Sequence, residues 1–150
     1  MNAQKMETPL RVELRLPSKL GFEKIAMQTA ASYAKLLGLD QDRIEDLKTA
    51  LAEACINAIE HGNQCNEAIT LSVVLSTDKT KLEVRVLDQG SGVSRKVSRP
   101  DIDKKMAGEE DSRGMGMFLI QSLVDEAEWV SNSPNGSYAR LVIYLDREKR

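Results

Sequence analysis

The chain has 150 residues, which fits one domain, expected over residues 1–150, with an apolar core of its own. Its 21 Lys and Arg residues nearly balance its 23 Asp and Glu residues and form no basic stripe, so direct nucleic-acid binding is not expected. The two cysteines lack metal-ligand spacing, and the sequence has neither a signal-peptide core nor ~20 consecutive apolar residues, so we expect a cytoplasmic protein with reduced thiols and no membrane contact.

The first predicted elements are a strand and a helix. Apolar and charged residues alternate over residues 10 to 16, which is the period of a half-buried strand, and Pro17 ends it. Residues 18 to 37 carry apolar residues at helical spacing, with Ser18 expected as the N-cap and Gly38 as the terminator. The residues expected on the buried side of this helix are Leu20, Ile25, Thr29, Tyr33 and Leu36 or Leu37.

A second helix has the most regular pattern in the sequence. Asp40 or Asp42 is placed to cap its N-terminus, and Gly62 and Asn63 are placed to end it. Its apolar stripe consists of Ile44, Leu47, Leu51, Ala54, Cys55 and Ala58.

Two strands and a long loop follow the second helix. The strands are predicted at residues 68 to 75 and 81 to 87, and the short turn through Asp78 and Lys79 predicts an antiparallel hairpin. Residues 88 to 113 are polar and lack periodicity. Because long loops in compact domains usually serve a site, we expect a lid over about residues 93–113.

A third helix and a second pair of strands complete the chain. The helix is predicted at residues 114 to 125, with Met117, Ile120 and Leu123 or Val124 directed inward, and the strands flank a turn at residues 133 to 136. The order β-α-α-β-β-loop-α-β-β predicts an α+β fold in which three helices cover one face of a mixed, mostly antiparallel sheet.

Three polar segments are candidates for chemistry, and the first lies on the second helix. Glu53, Asn57 and Glu60 share the side opposite the apolar stripe, with small residues around Asn57. An amide oxygen is a hard ligand that suits Mg²⁺, and a carboxylate one turn away can accept a proton from a nucleophile beside that metal. For His61, the only histidine, a packing or hydrogen-bonding role is favoured over direct chemistry.

The second segment follows the strand at residues 81 to 87. Asp88 is acceptor-only when ionised, so at a strand end it can take a hydrogen bond from an exocyclic amine such as that of adenine. Gly90 and Gly92 permit a base or sugar to approach the backbone closely.

The third segment runs from Arg113 through Gly114, Met115 and Gly116 to Met117. If the glycines open a helix, the free N–H groups and the positive end of the helix dipole favour a phosphate. The spacing matches neither the dinucleotide fingerprint nor a P-loop.

Each segment alone is more typical of a solvated helix face, a turn or a common glycine pair, but their combination is specific. Glu-x-x-x-Asn on a helix, Asp-x-Gly-x-Gly after a strand and Gly-x-Gly after a long loop together resemble the GHKL ATPase superfamily, which has the Bergerat or histidine-kinase-like ATPase fold. Within it the chain looks most like the anti-sigma-factor serine/threonine kinases. The likeness is greatest in EDLKTALAEACINAIEHGN, DQGSGV and SRGMGMFLIQSLVDEAE.

The resemblance implies a role for each segment. Glu53 is implied as the general base, Asn57 as a ligand of Mg²⁺ and Asp88 as the reader of adenine. Gly114 and Gly116 are implied at the phosphate-binding end of the lid, and the adjoining Arg113 and Met115, with Gly90 and Gly92, complete the expected nucleotide contacts.

The sequence departs from the wider superfamily at two places. Glu60 stands where many histidine kinases have a lysine, although anti-sigma kinases often lack that lysine too. Ser137 stands where relatives carry a threonine near the adenine, so we include Ser137 among the expected nucleotide contacts. Lys104, Lys105 and Arg113 are candidates for additional positive charge from the lid.

The function implied by the resemblance is that of a Mg-ATP-dependent kinase that binds a sigma factor and phosphorylates a serine of a STAS-type anti-anti-sigma protein, expected as a homodimer. An ATP-responsive, partner-binding regulator without phosphotransfer, acting in another STAS-containing pathway, remains the alternative. A complete sensor histidine kinase is excluded because it needs a pair of dimerisation helices with a phosphoacceptor histidine, and the only histidine, His61, lies on the predicted second helix just after Asn57. Gyrase, MutL and Hsp90 types need further domains.

Overall fold

The computed structural model describes residues 10–89, 109–133 and 136–145 of the protein. Its elements in chain order are β1 (Val12–Pro17), α1 (Glu23–Leu36), α2 (Gln41–Asn57), a π-helical turn (Ala58–Gly62), β2 (Thr70–Thr77), β3 (Lys81–Asp88), α3 (Glu109–Leu123), β4 (Glu126–Ser133) and β5 (Gly136–Tyr144). The strand order is β1-β2-β3-β5-β4, and each pairing among the described residues is antiparallel. The predicted α+β fold is confirmed, with a described sheet that is antiparallel rather than mixed.

The core lies between one face of the sheet and the helices. Alternate residues of the two neighbouring strands β2 and β3 are at most 1% exposed: Leu71, Val73, Leu75, Leu82, Val84 and Val86. Leu47 and Leu51 of α2 are fully buried in the same cluster. The helices therefore cover one face of the sheet, as predicted, and none of those described is long and apolar enough to cross a membrane.

Helix α1 packs against α2, and the fully buried residues of α1 are alanines rather than its large apolar residues. Ala26, Ala30 and Ala34 are fully buried, whereas Ile25 is 45% exposed and Leu36 is 86% exposed. The predicted buried side of this helix is therefore confirmed at Tyr33 and in part at Leu37, which packs against the core, and is wrong at Ile25 and Leu36. Three small side chains in one stripe let two helix backbones approach closely, and a pattern based on large apolar residues does not detect such a stripe.

The sequence places the start of α1 five residues too early. Ser18 does not cap a helix: it is fully buried, and its hydroxyl donates to the carbonyl of Ile69 at 2.7 Å. The predicted end is confirmed, because Gly38 has a φ of +89° and the N–H of Leu39 bonds back to the carbonyl of Ala34 at 3.2 Å.

Helix α2 begins as predicted but ends in a wider turn. The carboxylate of Asp40 accepts a hydrogen bond from the N–H of Arg43 at 2.9 Å, which confirms Asp40 as the cap. At the other end the N–H of Asn63 bonds to the carbonyl of Ala58 at 2.8 Å, five residues back. Such π turns are common near functional sites, and residue types do not distinguish them from α-helix.

Helix α3 begins at Glu109, five residues before the predicted start, so the lid residues 109–113 are helical. The sequence at residues 109 to 111 is acidic, which favours a helix N-terminus because carboxylates interact well with the positive end of the dipole. Gly114 and Gly116 therefore lie inside the helix. Ile120 is fully buried, as predicted.

The predicted hairpin between β2 and β3 is confirmed, with Asp78 organising its turn. One carboxylate oxygen of Asp78 accepts hydrogen bonds from the N–H groups of Thr80 at 2.8 Å and Lys81 at 3.0 Å. The bond from Thr80 is the main reason that the pKa of Asp78 lies below its ordinary value.

The two cysteines should react very differently in the native protein. Burial, with a smaller contribution from the Glu23 carboxylate, raises the pKa of the Cys55 thiol to about 12, whereas Cys65 is exposed. A thiol reagent near neutral pH should therefore label Cys65 quickly and Cys55 at least about 10³-fold more slowly, since reaction at Cys55 requires unfolding. Intact-mass spectra of the wild type and a Cys65→Ser control measure this, and equal labelling of both thiols contradicts the described burial.

Candidate functional site

Glu53 and Asn57, from the last turns of α2, lie directly against α3. A Cβ built on Gly116 of α3 would be 2.9 Å from Glu53 Oε1 and 3.7 to 3.8 Å from the amide atoms of Asn57. The first and third candidate segments, far apart in the sequence, are thus in contact. Glycine at position 116 is what lets the α3 backbone come this close to the carboxylate.

Asp88 lies at the end of β3 and is 9% exposed. Its carboxylate packs on the π turn, since a Cβ on Gly62 would be only 2.5 Å from Asp88 Oδ2. On the neighbouring strand, Ser137 is the cross-strand partner of Asp88. Asp88 and Ser137, expected to approach the same part of a ligand, therefore lie side by side.

A second glycine fits against the backbone of Asp88. Gly136 has a φ of +102°, and a Cβ there would overlap the carbonyl oxygen of Asp88. The sequence predicts only a helix end at Gly62 and only a turn at Gly136. The local sequence does not predict either contact, because each depends on a residue that is close only in the folded structure.

These groups lie along one continuous helical stretch. From Glu53 to Gly62 the chain advances about 14 Å if each residue rises 1.5 Å. The Glu53 carboxylate lies at one end, the Asn57 amide lies midway, and the Asp88 carboxylate lies at the other end. This geometry suits an elongated ligand with a hydrogen-bond donor at one end and a charged group at the other.

Several other predicted contacts fall on residues or side chains that the structure does not describe. Gly90, Gly92, Lys104 and Lys105 lie outside the described ranges, and for Arg113 the structure describes only that its backbone is helical.

The structure also changes the expectation for the start of the glycine segment. A Cβ on Gly114 would meet no atom within 4 Å, and Met115 is 71% exposed. Because α3 begins five residues before Gly114, the N–H of Gly114 falls within the intrahelical hydrogen-bond pattern. The expected helix start at Gly114 is therefore wrong, and a phosphate contact of Gly114 remains a prediction without a free helix end to support it.

Glu60 and His61 lie in the π turn rather than on a regular continuation of α2. The Glu60 side chain is 42% exposed, and its carboxylate is 3.9 Å from His61 Nε2. The His61 side chain is 20% exposed.

The residues present fit a nucleotide with a divalent cation. The side-chain oxygens of Asn57 and Glu53 are the hard donors that Mg²⁺ prefers, and they lie together. The Asp88 carboxylate fits a backbone surface that any side chain at position 62 would fill. Asn57 is thus the residue suited to the metal, and Asp88 the residue suited to an amine on a base.

Comparison with known proteins identifies the family of the chain. A model of the histidine kinase-like ATPase domain matches residues 16–143. A serine-protein kinase RsbW of Bacillus thuringiensis is 29% identical over 149 residues, which cover 96% of this chain and 91% of the relative. The RsbW of Bacillus velezensis is 30% identical over 142 residues, which cover 92% of this chain and 88% of that protein.

A solved structure supports the fold independently. The crystal structure of the RsbU and RsbW domains of Rv1364c from Mycobacterium tuberculosis superimposes with a TM-score of 0.64 at 18% identity over 89% of this chain. The match spans 31% of that longer chain. Sequence and fold together place the protein in the histidine kinase-like ATPase domain family, among the anti-sigma-factor serine kinases of the RsbW type.

Proposed function

We propose that the protein is a Mg-ATP-dependent kinase that binds a sigma factor and phosphorylates a serine of a STAS-type anti-anti-sigma protein. The observation that carries the proposal is the contact of Gly116 with Glu53 and Asn57 on a helical stretch whose C-terminal end contacts Asp88. Membership of the RsbW-type family supports a protein serine as the phosphate acceptor.

Asp88 selects the base in this proposal. Its ionised carboxylate only accepts hydrogen bonds, so it pairs with the exocyclic amine of adenine. Guanine presents a carbonyl oxygen at the corresponding position, and two acceptors repel each other. The site is therefore expected to prefer ATP over GTP, with the Ser137 hydroxyl beside the same edge.

Glu53 and Asn57 act at the other end. When bound, Mg-ATP supplies the phosphoryl group and a metal charge that offsets the charge of the phosphates. Asn57 contributes one oxygen ligand to the metal. Glu53 takes the hydroxyl proton of the acceptor serine while the serine oxygen bonds to the γ-phosphorus, the bond to the bridging oxygen breaks, and ADP leaves.

The partners in this proposal follow from the family. A sigma factor and a STAS-type protein are expected to bind the same chain, and a homodimer belongs to the proposal on the same grounds. No described surface is assigned to either partner.

Transfer of labelled phosphate tests the proposed function. The full chain is incubated with γ-labelled ATP, Mg²⁺ and a STAS-type protein from the same cell, and a parallel sample contains EDTA. We expect label on a serine of the STAS-type protein only when Mg²⁺ is present. ATP-dependent binding of that protein with no label on it contradicts the kinase assignment and favours a regulator without phosphotransfer.

Because Gly116 contacts Glu53, a substitution at Gly116 should lower phosphate transfer without lowering the stability of the protein. Gly116→Ala adds a methyl group that displaces the flexible end of the Glu53 side chain, so phosphate transfer should fall roughly 10- to 100-fold. Unfolding in urea should still require at least as much denaturant as for the wild type, because Ala is favoured over Gly inside a helix.

Gly114→Ala is the matched control for this helix effect, since its methyl group would meet nothing within 4 Å. It should stabilise the protein by about 0.5–1 kcal/mol. A larger gain from Gly116→Ala than from Gly114→Ala, together with an unchanged transfer rate, contradicts the contact with Glu53.

A further inference from the structure

Asn63, directly after the π turn, connects three parts of the chain through a buried hydrogen-bond chain. Asn63 is buried, with only 2% of its surface exposed. Oδ1 accepts from the N–H of Gln89 at 2.9 Å, and Nδ2 donates to Ser18 Oγ at 2.9 Å. The Ser18 hydroxyl donates in turn to the carbonyl of Ile69 at 2.7 Å.

The chemistry of the groups fixes the direction of this chain. The N–H of Gln89 is a donor, so the amide atom facing it must be the oxygen. Ser18 uses its only proton on Ile69 and so must accept from the amide nitrogen of Asn63. A carboxamide at position 63 supplies the acceptor and the donor that these two neighbours need.

Gln89 immediately follows Asp88, and Gly62 immediately precedes Asn63. Two adjacent residues at the end of the π turn, Gly62 and Asn63, therefore contact the last residues of β3 and its continuation. Gly62 supports the Asp88 carboxylate, and Asn63 holds the peptide that follows it. Loss of the bond to Gln89 would free the backbone at the end of β3 to shift, and the Asp88 side chain would shift with it.

We propose that Asn63 is a positioning residue that sets the direction of the Asp88 carboxylate and thereby the preference of the site for adenine. The inference rests on the proposed function, since it assumes that Asp88 contacts the base. Asn63 itself touches no reacting group. Its hydrogen bond to Gln89 sets the direction of the Asp88 carboxylate. Its hydrogen bond to Ser18 contributes only to the stability of the fold.

Two kinds of variant distinguish the effect of the bond between Asn63 and Gln89 from that of the bond between Asn63 and Ser18. Asn63→Ala removes the acceptor for Gln89, and a water molecule can enter the space that it leaves. Ser18→Ala and Asn63→Asp disrupt the bond to Ser18 and keep an acceptor for Gln89. All three should unfold at lower temperature than the wild type, so loss of stability alone cannot produce a difference between the two kinds.

Affinities for ATP and GTP, measured by calorimetry on the full chain, test the proposal. Asn63→Ala should weaken ATP binding about 10-fold and reduce the ATP-over-GTP preference by a similar factor. Phosphate transfer at saturating ATP should stay within about twofold, because Glu53 and Asn57 are not disturbed. Ser18→Ala and Asn63→Asp should keep the wild-type preference.

The outcomes distinguish this inference from the proposed function. If Asp88→Asn weakens ATP binding and Asn63→Ala does not, the role of Asn63 is wrong and the nucleotide site stands. If Ser18→Ala lowers the preference as much as Asn63→Ala does, Asn63 is merely structural. If the wild type binds no ATP, the proposed function itself fails, and this inference fails with it.

A measurement on the wild type covers the case in which Asn63→Ala does not fold. The Gln89 amide proton, in the absence of nucleotide, should exchange with solvent as slowly as the amides within β3, because Asn63 holds it. Exchange at the rate of an exposed loop amide overturns the proposal.

Discussion

Replacing Glu53 with glutamine is expected to lower phosphate transfer to the acceptor serine by roughly 10²- to 10⁴-fold, the range typical of a lost general base. Glutamine has nearly the same shape and keeps the contact with Gly116, but its amide cannot take up the hydroxyl proton. ATP affinity should change by less than about threefold, because Glu53 acts on the acceptor rather than on the base of the nucleotide.

Glu45→Gln is the matched control for this variant. Glu45 lies on the same helix, its side chain is 55% exposed, and it pairs with Lys48 at 3.6 Å at a distance from the site. The control should transfer phosphate at the wild-type rate. Wild-type transfer by Glu53→Gln shows that Glu53 is not the base, whatever the behaviour of the control.

Replacing Asp88 with asparagine should give the second large effect, a loss of ATP affinity of roughly 10- to 100-fold. A hydrogen bond to a buried charged acceptor typically contributes 1.5 to 3 kcal/mol. Asparagine offers adenine only a neutral amide oxygen, and in the flipped orientation its amide nitrogen presents a donor to a donor. The preference for ATP over GTP should fall with the affinity. Calorimetric titrations with both nucleotides measure the two effects together.

Asp78→Asn removes the same charge from the opposite end of the β2–β3 hairpin and is the control. Its carboxylate bonds to the turn amides of Thr80 and Lys81, so the variant should lose some stability and keep wild-type ATP affinity. Equal ATP affinity in wild type and Asp88→Asn means that the base binds elsewhere.

The sequence predicts the fold well because the strands and helices carry distinct periodicities. Its errors arise where tertiary contacts override local signals. Ser18 has the residue type of a cap, but its hydroxyl bonds to a distant carbonyl. The predicted buried side of α1 is wrong at Ile25 and Leu36 because the fully buried positions of this helix are alanines, which weigh little in an apolar pattern.

For the candidate site, the sequence identifies the side chains but not what holds them. Glu53, Asn57 and Asp88 stand out by residue type and order, and the structure places the first two together and Asp88 at the π turn. The sequence does not predict that Gly62 and Asn63 support Asp88 and the peptide that follows it. These contacts depend on a π turn and on a strand end some 25 residues further along, and no local pattern reports such a pairing.

The most direct test of the proposed nucleotide site is a structure of the full chain with Mg²⁺ and a non-hydrolysable ATP analogue. We expect the exocyclic amine of adenine at hydrogen-bond distance from the Asp88 carboxylate, about 2.9 Å. We also expect Asn57 Oδ1 as a metal ligand at about 2.1 Å, with Glu53 beside the γ-phosphate. A base that lies away from Asp88, or a metal that Asn57 does not bind, would show that the proposed site is wrong.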